Sequence, residues 1–325
     1  MKEDKKNILI LGGGGFIGGH LGRRLKQDGH FVRVADIKEN PSFFNTSDIC
    51  DQYMCLDLRH KFDVELAFEG RCFDEVYNMA ADMGGAGYIF SGDNDLSVMT
   101  NSVMINLNVV NTLTDLRCKR VFFSSSACVY PEHNQMDPDN VTTEESTAYP
   151  ANPDSEYGWE KLFSERLYLT ASRNKNRVVR IGRFHNIYGP YCSWNDGKEK
   201  APAAMCRKVA ENDKEIEVWG DGEQTRSFLY IDDALDAIIA FMRQDNFCGP
   251  LNIGSEEMVT INGLANAAMS VAGKKLNIKH IPGPLGVRGR NSHNKLISKV
   301  LGWKPKYRLI EGMKPTYEWI KKQVS

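Results

Sequence analysis

Through the first 125 residues, short runs of β-branched and aliphatic residues alternate with longer stretches whose apolar positions recur at helical spacing. The pattern predicts strands at Asn7–Leu11, Phe31–Ala35, Asp74–Asn78 and Arg120–Ser124, with a weaker one at Gln52–Cys55. It predicts helices at Phe16–Gln27 and over about Ser97–Arg117. Such alternation implies a parallel sheet covered by helices on both faces, an α/β doubly wound architecture of the Rossmann type. Met136–Asp154 is rich in Pro, Thr and acidic residues and reads as an active-site loop, followed by a helix from about Tyr157. From Ala201 the texture shifts to shorter elements punctuated by Gly and Pro, as at Trp219–Gly222 and Pro282–Pro284. The expected organisation is a dinucleotide-binding domain over 1–185, with a return segment near 226–255. The remaining segments of 186–325 form a smaller α/β substrate domain, and a cleft lies between the two.

The first predicted strand runs into Gly12-Gly13-Gly14-Gly15-Phe16-Ile17-Gly18. Glycines at 12, 15 and 18, at a strand-to-helix turn, let the backbone bend tightly and approach a pyrophosphate that faces the helix N-terminus. The second strand ends at Asp36, 18 residues past Gly18, where a carboxylate accepts from ribose hydroxyls and repels a 2′-phosphate. The expected cofactor is therefore NAD. Phe16 and Ile17 open the helix beneath it, Asp57-Leu58 is placed to contact adenine, and Ala80 ends the next strand with little bulk against the cofactor.

Ser126 follows the fifth strand, and Tyr157 and Lys161, four apart, share one helix face. An ammonium beside a phenol favours the phenolate, so the expectation is a Tyr157 pKa drawn downward. Tyr157 would take a proton from a sugar hydroxyl as hydride leaves the carbon for NAD. Lys161 would hold the nicotinamide ribose, and Ser126 would bond the reacting oxygen.

These elements resemble the extended short-chain dehydrogenase/reductase superfamily and its NAD-dependent epimerase/dehydratase family, over residues 7–323. Within it the chain is similar to the GDP-mannose 3,5-epimerase family. The similarity rests on Ala80–Gly85, Ser125–Cys128, Ile181–Pro190, Glu199–Ala204 and Gly286–Ser292, of which Cys128, Glu199–Pro202 and Val287–Arg290 are the more specific. The resemblance implies conversion of GDP-D-mannose to GDP-L-galactose, and to GDP-L-gulose by C5 inversion alone, through a 4-keto sugar. It implies Cys128 as base and Lys200 as the opposing acid. The chemistry has its own use for such a pair, because a C4 ketone acidifies the hydrogens at C3 and C5. Inversion then needs a base on one ring face and an acid on the other. The nucleotide-sugar contacts that the resemblance implies are Gly85 (through its backbone), Ser126, Ala127, Cys128, Asn186, Glu199, Lys200, Ala201, Lys208, Gln224, Thr225, Arg226 and one of Arg288 and Arg290. Of these, Lys208, Arg226, Arg288 and Arg290 are the cations suited to a pyrophosphate.

The chain departs from the plant pattern at Phe90–Asp93 and at His293, and it stops at Ser325 where plant members run on. A hexose and a heptose therefore both stay open as substrates. The other readings are a nucleotide-sugar 4-epimerase, a 4,6-dehydratase and a non-catalytic NAD-binding regulator. A dehydratase of this type carries an acidic pair where Ala127-Cys128 stands.

Composition narrows the field further. The 325 residues carry 41 basic and 42 acidic side chains, a net charge of −1, so no bulk attraction to nucleic acid or an anionic membrane is expected. No apolar run approaches the roughly 20 residues of a membrane span, and Met1–Asn7 does not read as a signal peptide. Eight cysteines include no C-x-x-C pair, which predicts buried thiols in a reducing cytoplasm rather than disulfides or zinc ligands. Asp232-Asp233 reads as a pair of acids at a helix N-terminus, so no metal is expected. His185 reads as a packed strand residue. The expected assembly is a homodimer formed through the two long helices.

Overall fold

The computed structural model describes residues 4–115, 118, 120–175, 178–283 and 286–324. Met1–Glu3, Arg117 and Pro284, named above, lie outside these ranges.

Six strands follow one another into one parallel sheet: β1 (Asn7–Leu11), β2 (Phe31–Asp36), β3 (Gln52–Cys55), β4 (Glu75–Asn78), β5 (Arg120–Ser126) and β6 (Val178–Phe184). A seventh strand, Leu251–Ile253, returns from the second half of the chain and pairs with β6. The spatial order is β3-β2-β1-β4-β5-β6 and then Leu251–Ile253. The chain therefore reverses direction across the sheet between β1 and β4. In such sheets the crevice at the carboxyl ends of those two strands takes the ligand.

Why the sheet is covered on both faces can be read along β1. Ile8 and Ile10 enter one apolar cluster and Leu9 and Leu11 the other, all four fully buried. Period-2 alternation sends neighbours to opposite faces, and both faces need helices. On one face lie the helices Asp95–Asp115 and Glu156–Lys175, which pack together, with Val109, Leu113 and Tyr168 in the core. On the other, Phe16–Gln27 and Ile231–Arg243 merge into a cluster that continues into Leu264, Met313 and Ile320. That continuity welds the later half of the chain onto the sheet.

The later half forms three small sheets. Ile187–Tyr188 pairs with Leu229–Tyr230, and Glu215–Trp219 with Asn277–Ile281. Thr225–Ser227 lies between an antiparallel neighbour, Met258–Thr260, and a parallel one, Gly289–Arg290.

Two local readings are revised. β5 runs two residues past the expected Ser124, because Ser124, Ser125 and Ser126 pair with Gly182, Arg183 and Phe184; tertiary pairing overrides serine's weak strand preference. The long helix begins at Asp95 rather than near Ser97. Asp232 and Asp233 lie in the first turn of Ile231–Arg243, as expected. Asp233 Oδ2 also accepts from the Lys306 and Tyr307 amides, each at 2.9 Å, and so anchors the C-terminal segment.

Between β5 and β6 a buried ion pair joins the sheet to the helix and loop above. Arg183 donates to both Glu165 oxygens at 2.8 Å, to the Tyr130 hydroxyl at 3.2 Å and to the Glu145 carbonyl at 2.9 Å. Both charged side chains are 2% exposed, so removing one leaves the other's charge buried and unpaired. Arg183→Met is expected to destabilise the fold by about 3–5 kcal/mol. Denaturant unfolding measures this, and a loss below about 1 kcal/mol would refute the account.

Candidate active site

At the end of β1 the backbone turns under the sheet's reversal point. Gly12 has φ +80, and a Cβ there would meet the Ala80 amide nitrogen at 2.6 Å. A Cβ at Gly18 would meet the Gly12 carbonyl oxygen at 2.5 Å, so helix and strand approach more closely than any side chain permits. Gly15, the N-cap of Phe16–Gln27, is different: a Cβ there would meet only the Gly12 carbonyl oxygen, at 3.7 Å. The turn thus leaves space at the amide end of a 12-residue helix, which suits a pyrophosphate. Asp36 ends β2 beside it, with Oδ2 accepting from Gly14 at 2.8 Å and Oδ1 from Lys38 at 3.0 Å. These residues fit a dinucleotide with free ribose hydroxyls. Phe16 packs its ring edge against His20, 5.3 Å between centres, and Ile17 packs against the core. Leu58 is buried, while Asp57 is engaged by Arg59 at 2.7 Å.

Ser126, Cys128, Tyr157 and Lys161 converge above the carboxyl end of β5. The strand closes into a short turn, Ala127–Val129, in which the Cys128 amide donates to Ser126 Oγ at 3.2 Å. Gly158 permits the next helix to lie against this turn, since a Cβ there would stand 2.2 Å from the Cys128 carbonyl oxygen. Tyr157 shares a hydrogen bond with Ser126. Lys161 donates to the Ser124 carbonyl at 3.0 Å, with its ammonium 5.6 Å from the Tyr157 ring centre.

The electrostatics differ from the sequence expectation for Tyr157. Burial, with Cys128 and Glu160 adding to it, pushes its phenol above the ordinary tyrosine range, and Ser126 opposes only in part. Burial also pushes Lys161 below the lysine range against the pull of Glu160, Glu165 and Cys128. The correction is physical: both groups have lost water, and desolvation favours the neutral form of each.

The later half of the chain supplies the opposite wall. The ladder between Thr225–Ser227 and Gly289–Arg290 sets Arg226 beside Arg290. Arg290 is 6% exposed and uses three donors inward: Cys128 Sγ at 3.1 Å, Asp154 Oδ2 at 2.6 Å and Gln135 Oε1 at 2.6 Å. Burial pushes this guanidinium down, but Cys128 and Asp154 outweigh it and hold the pKa above the usual arginine value. Arg226 falls to about 10 through burial and the neighbouring Arg290, with Asp154 and Cys128 pulling the other way. Its two terminal nitrogens donate to the Thr225 and Val287 carbonyls at 2.8 Å. Arg288 points elsewhere and pairs with both Asp221 oxygens at 3.2 Å.

Lys200 precedes the helix Ala201–Glu211 as its N-cap residue. Burial pushes its amine below the lysine range, Cys128 pulls it back and Arg290 pushes it further down. Cys128 is thus a charge neighbour of Tyr157, Lys161, Lys200, Arg226 and Arg290 together. The structure gathers these six residues around one space.

Other expected contacts are less open. The Gly85 amide donates to the Lys198 carbonyl at 2.9 Å, and a Cβ at 85 would stand 2.2 Å from the Glu199 carbonyl oxygen. The glycine is therefore required by the close approach of the 198–199 backbone. Lys208 donates to the Glu217 carbonyl at 2.6 Å, and Asn186, at φ +42, to the Ser227 carbonyl at 3.1 Å. Glu199 Oε2, Gln224 Oε1 and Thr225 Oγ1 are buried without hydrogen-bond partners, which suits groups awaiting a polar ligand. His185 is fully buried, bonded to Asn252 Oδ1 at 2.9 Å, and held neutral by a pKa pushed by burial to about 3.

Sequence reasoning did not single out Asp154, Gln135 or Glu160. Asp154 closes the acid-rich loop read as part of the site, which was its available signal. Gln135 is visible only through its contact. Glu160 lies beside Lys161, fully buried, accepting from Asn106 at 2.9 Å and Ser164 at 2.7 Å.

Comparison with known proteins agrees with this geometry. The model of the NAD dependent epimerase/dehydratase family matches residues 8–254. GDP-mannose 3,5-epimerase of Arabidopsis thaliana is 48% identical over 323 residues, covering 99% of this chain and 84% of that protein. GDP-mannose 3,5-epimerase 1 of Oryza sativa subsp. japonica is 45% identical over 323 residues, covering 99% and 83%. UDP-glucuronic acid decarboxylase 1 of Danio rerio is far more distant, at 25% identity over 326 residues, 99% of this chain and 74% of that protein. Among solved structures, UDP-N-acetylglucosamine 4-epimerase from Methanobrevibacter ruminantium M1 superposes with a TM-score of 0.86 at 23% identity, covering 99% and 100% of the two chains. With a glycine turn, a Ser-Tyr-Lys set and a seven-stranded parallel sheet all in place, the chain belongs to the NAD-dependent epimerase/dehydratase family.

Proposed function

We propose that this protein is an isomerase that inverts C5 and C3 of GDP-D-mannose, giving GDP-L-galactose, and GDP-L-gulose when C5 alone is inverted. The observation that carries the reading is Cys128. Its sulfur is an electrostatic neighbour of both the Tyr157/Lys161 pair and Lys200, which would join an oxidation site to a proton-transfer pair. A 4-epimerase has no use for the second set, and the relatives that share this chemistry by name are nearly twice as similar as the decarboxylases.

Gly12, Gly15 and Gly18 would cradle the pyrophosphate of NAD, Asp36 a ribose, Ala80 the cofactor's flank and Lys161 the nicotinamide ribose. Bound NAD supplies the hydride acceptor and, in its oxidised form, a positive charge at the reacting end of the site. That charge favours the phenolate that burial alone resists. Ser126 holds the C4 oxygen while Tyr157 takes its proton. Cys128 then removes the proton from the carbon next to the new carbonyl, and Lys200 delivers one to the opposite face. Once Cys128 has released its proton to solvent and Lys200 has taken one up, the same exchange at the other carbon completes the inversion. Tyr157 returns its proton as C4 is reduced again, so no net oxidant is consumed. Arg226, Gln224, Thr225, Asn186 and Lys208 would hold the nucleotide diphosphate, and Glu199 and Ala201 the sugar edge. Arg290, already committed to Cys128 and Asp154, steadies the base beside them.

The chain would work as two units, 1–185 with 226–255 and the remainder of 186–325, closing on the substrate. Leu96, Met104, Trp159 and Phe163 are exposed on the two long helices, an apolar surface that suits a homodimer through a four-helix face. A cytoplasmic location accords with the absence of disulfides among the described residues, and no helix among them is long and apolar enough to cross a membrane. Trp159→Glu together with Phe163→Glu should yield a monomer by light scattering; a dimer unchanged by both would remove that surface from the assembly.

Incubation with GDP-mannose in heavy water should place deuterium at C3 and C5, read by NMR. Label at neither carbon overturns the epimerase reading. Cys128→Ala should retain NAD yet lose exchange by at least about 10²-fold; exchange at the original rate would mean another base. The pH dependence follows from Lys200. An acid works only while protonated, and its pKa is lowered, so exchange should fall on an alkaline limb below the ordinary lysine range. A limb at or above that range would exclude Lys200 as the acid.

A further inference from the structure

The loop that follows β4 reaches across to the turn that carries Lys200. The turn itself is local: the Lys198 amide donates to Asp196 Oδ1 at 3.0 Å, and Gly197 has φ +75. Lys200 follows in extended conformation, φ −84 and ψ 158, before Pro202 starts the next helix. Nothing in that turn alone decides where it sits over the cavity.

The anchor comes from the other side. Lys198 Nζ lies 3.5 Å from Asp82 Oδ1 and 3.9 Å from the centre of the Tyr88 ring. Tyr88 donates its hydroxyl to the same Asp82 oxygen at 2.9 Å, and Asn101 Nδ2 donates to the other at 2.9 Å. Asp82 is therefore fixed by two neutral donors, so its carboxylate remains in place to receive the ammonium. The Gly85–Lys198 backbone bond and the close Gly85–Glu199 approach run alongside. Lys198 is 42% exposed, and an ion pair so open contributes little to folding. Its geometric effect is larger, because Lys200 is only two extended residues away, roughly 7 Å of chain.

We propose that Asp82, Tyr88 and Lys198 form a clasp that sets Lys200 opposite Cys128. They are positioning residues for the proton delivery, and they do not serve the oxidation at C4. This rests on the reading of Lys200 as the proton donor. The oxidising residues stand on β5 and on Glu156–Lys175; Tyr88 packs against the apolar cluster that includes Tyr157, whereas the Asp82–Lys198 ion pair bonds to neither element. A proton donor displaced by about 1 Å can lose about 10²-fold in rate. Loss of the clasp should therefore slow C–H exchange while leaving hydride removal intact.

Lys198→Met tests this in the NAD-loaded enzyme mixed with GDP-mannose in heavy water. Deuterium uptake at C3 and C5 should fall at least about tenfold, whereas the near-ultraviolet band of reduced nicotinamide should appear at the original rate and KM should hold. Lys198→Arg keeps a cation over Tyr88 and should restore most of the exchange. Asp82→Asn, which removes the charge but keeps an amide in the site, should behave as Lys198→Met. Exchange unchanged in Lys198→Met, with loss in Lys200→Met, overturns the clasp alone. Equal slowing of hydride removal and exchange also overturns it, since the segment would then serve the whole site. Exchange retained in Lys200→Met overturns the assignment of the donor, and the clasp with it, so the two failures are distinguishable.

Discussion

A guanidinium removed from water must have its charge answered and its donors used, and Arg290 meets that demand from three directions at once. Asp154 supplies a carboxylate from the loop, Gln135 a neutral acceptor from the short helical segment Glu132–Gln135, and Cys128 a sulfur from the turn after β5. The arginine itself belongs to the later half of the chain. One buried cation thus ties the turn at Cys128, the loop at Asp154 and the ladder between Thr225–Ser227 and Gly289–Arg290 into a single arrangement. Arg226, its ladder neighbour, feels the repulsion, and its pKa is drawn down further where burial already lowers it.

Desolvation governs the remaining chemistry. Tyr157 is pushed up and Lys161 and Lys200 are pushed down by the same cause, loss of solvent around an ionisable group. Enzymes that move protons near neutral pH need their groups between fully charged and fully neutral, and a dry cavity with a few counter-charges achieves this. The cavity is therefore responsive: a positive ring entering beside Tyr157 changes the balance that burial set. Glu199, Gln224 and Thr225 likewise keep buried oxygens without hydrogen-bond partners, an unfavourable arrangement.

The architecture accounts for why these pieces meet. β1 and β4 run parallel, but the chain builds outward from them to opposite edges of the sheet, which opens the crevice where Gly12, Gly18 and Ala80 approach through backbone. The strand Leu251–Ile253 brings the later half back against β6 and sets it over that crevice. The apolar cluster running from Ile10 to Met313 makes the two halves share one core. Where that core ends, polar contacts such as the one between Asp82 and Lys198 complete the closure.

Much of this was legible in the residues because the relevant geometry is local. A glycine turn between a period-2 run and a period-3.6 run, an acid ending the next strand, and Tyr157 with Lys161 on one helix turn are set by bond lengths and repeat periods, which operate over a few residues. Other features depend on separations of tens to hundreds of residues, which no spacing encodes. The alignment of Arg226 with Arg290 and the reach of Arg290 rather than Arg288 to Cys128 come from a ladder formed in the folded chain. The commitment of Gly85 to the 198–199 backbone comes from a loop crossing. The direction of the Tyr157 shift was misread for the same reason: proximity to Lys161 is written in the sequence, whereas the loss of water that outweighs it exists only once distant elements have closed over the site.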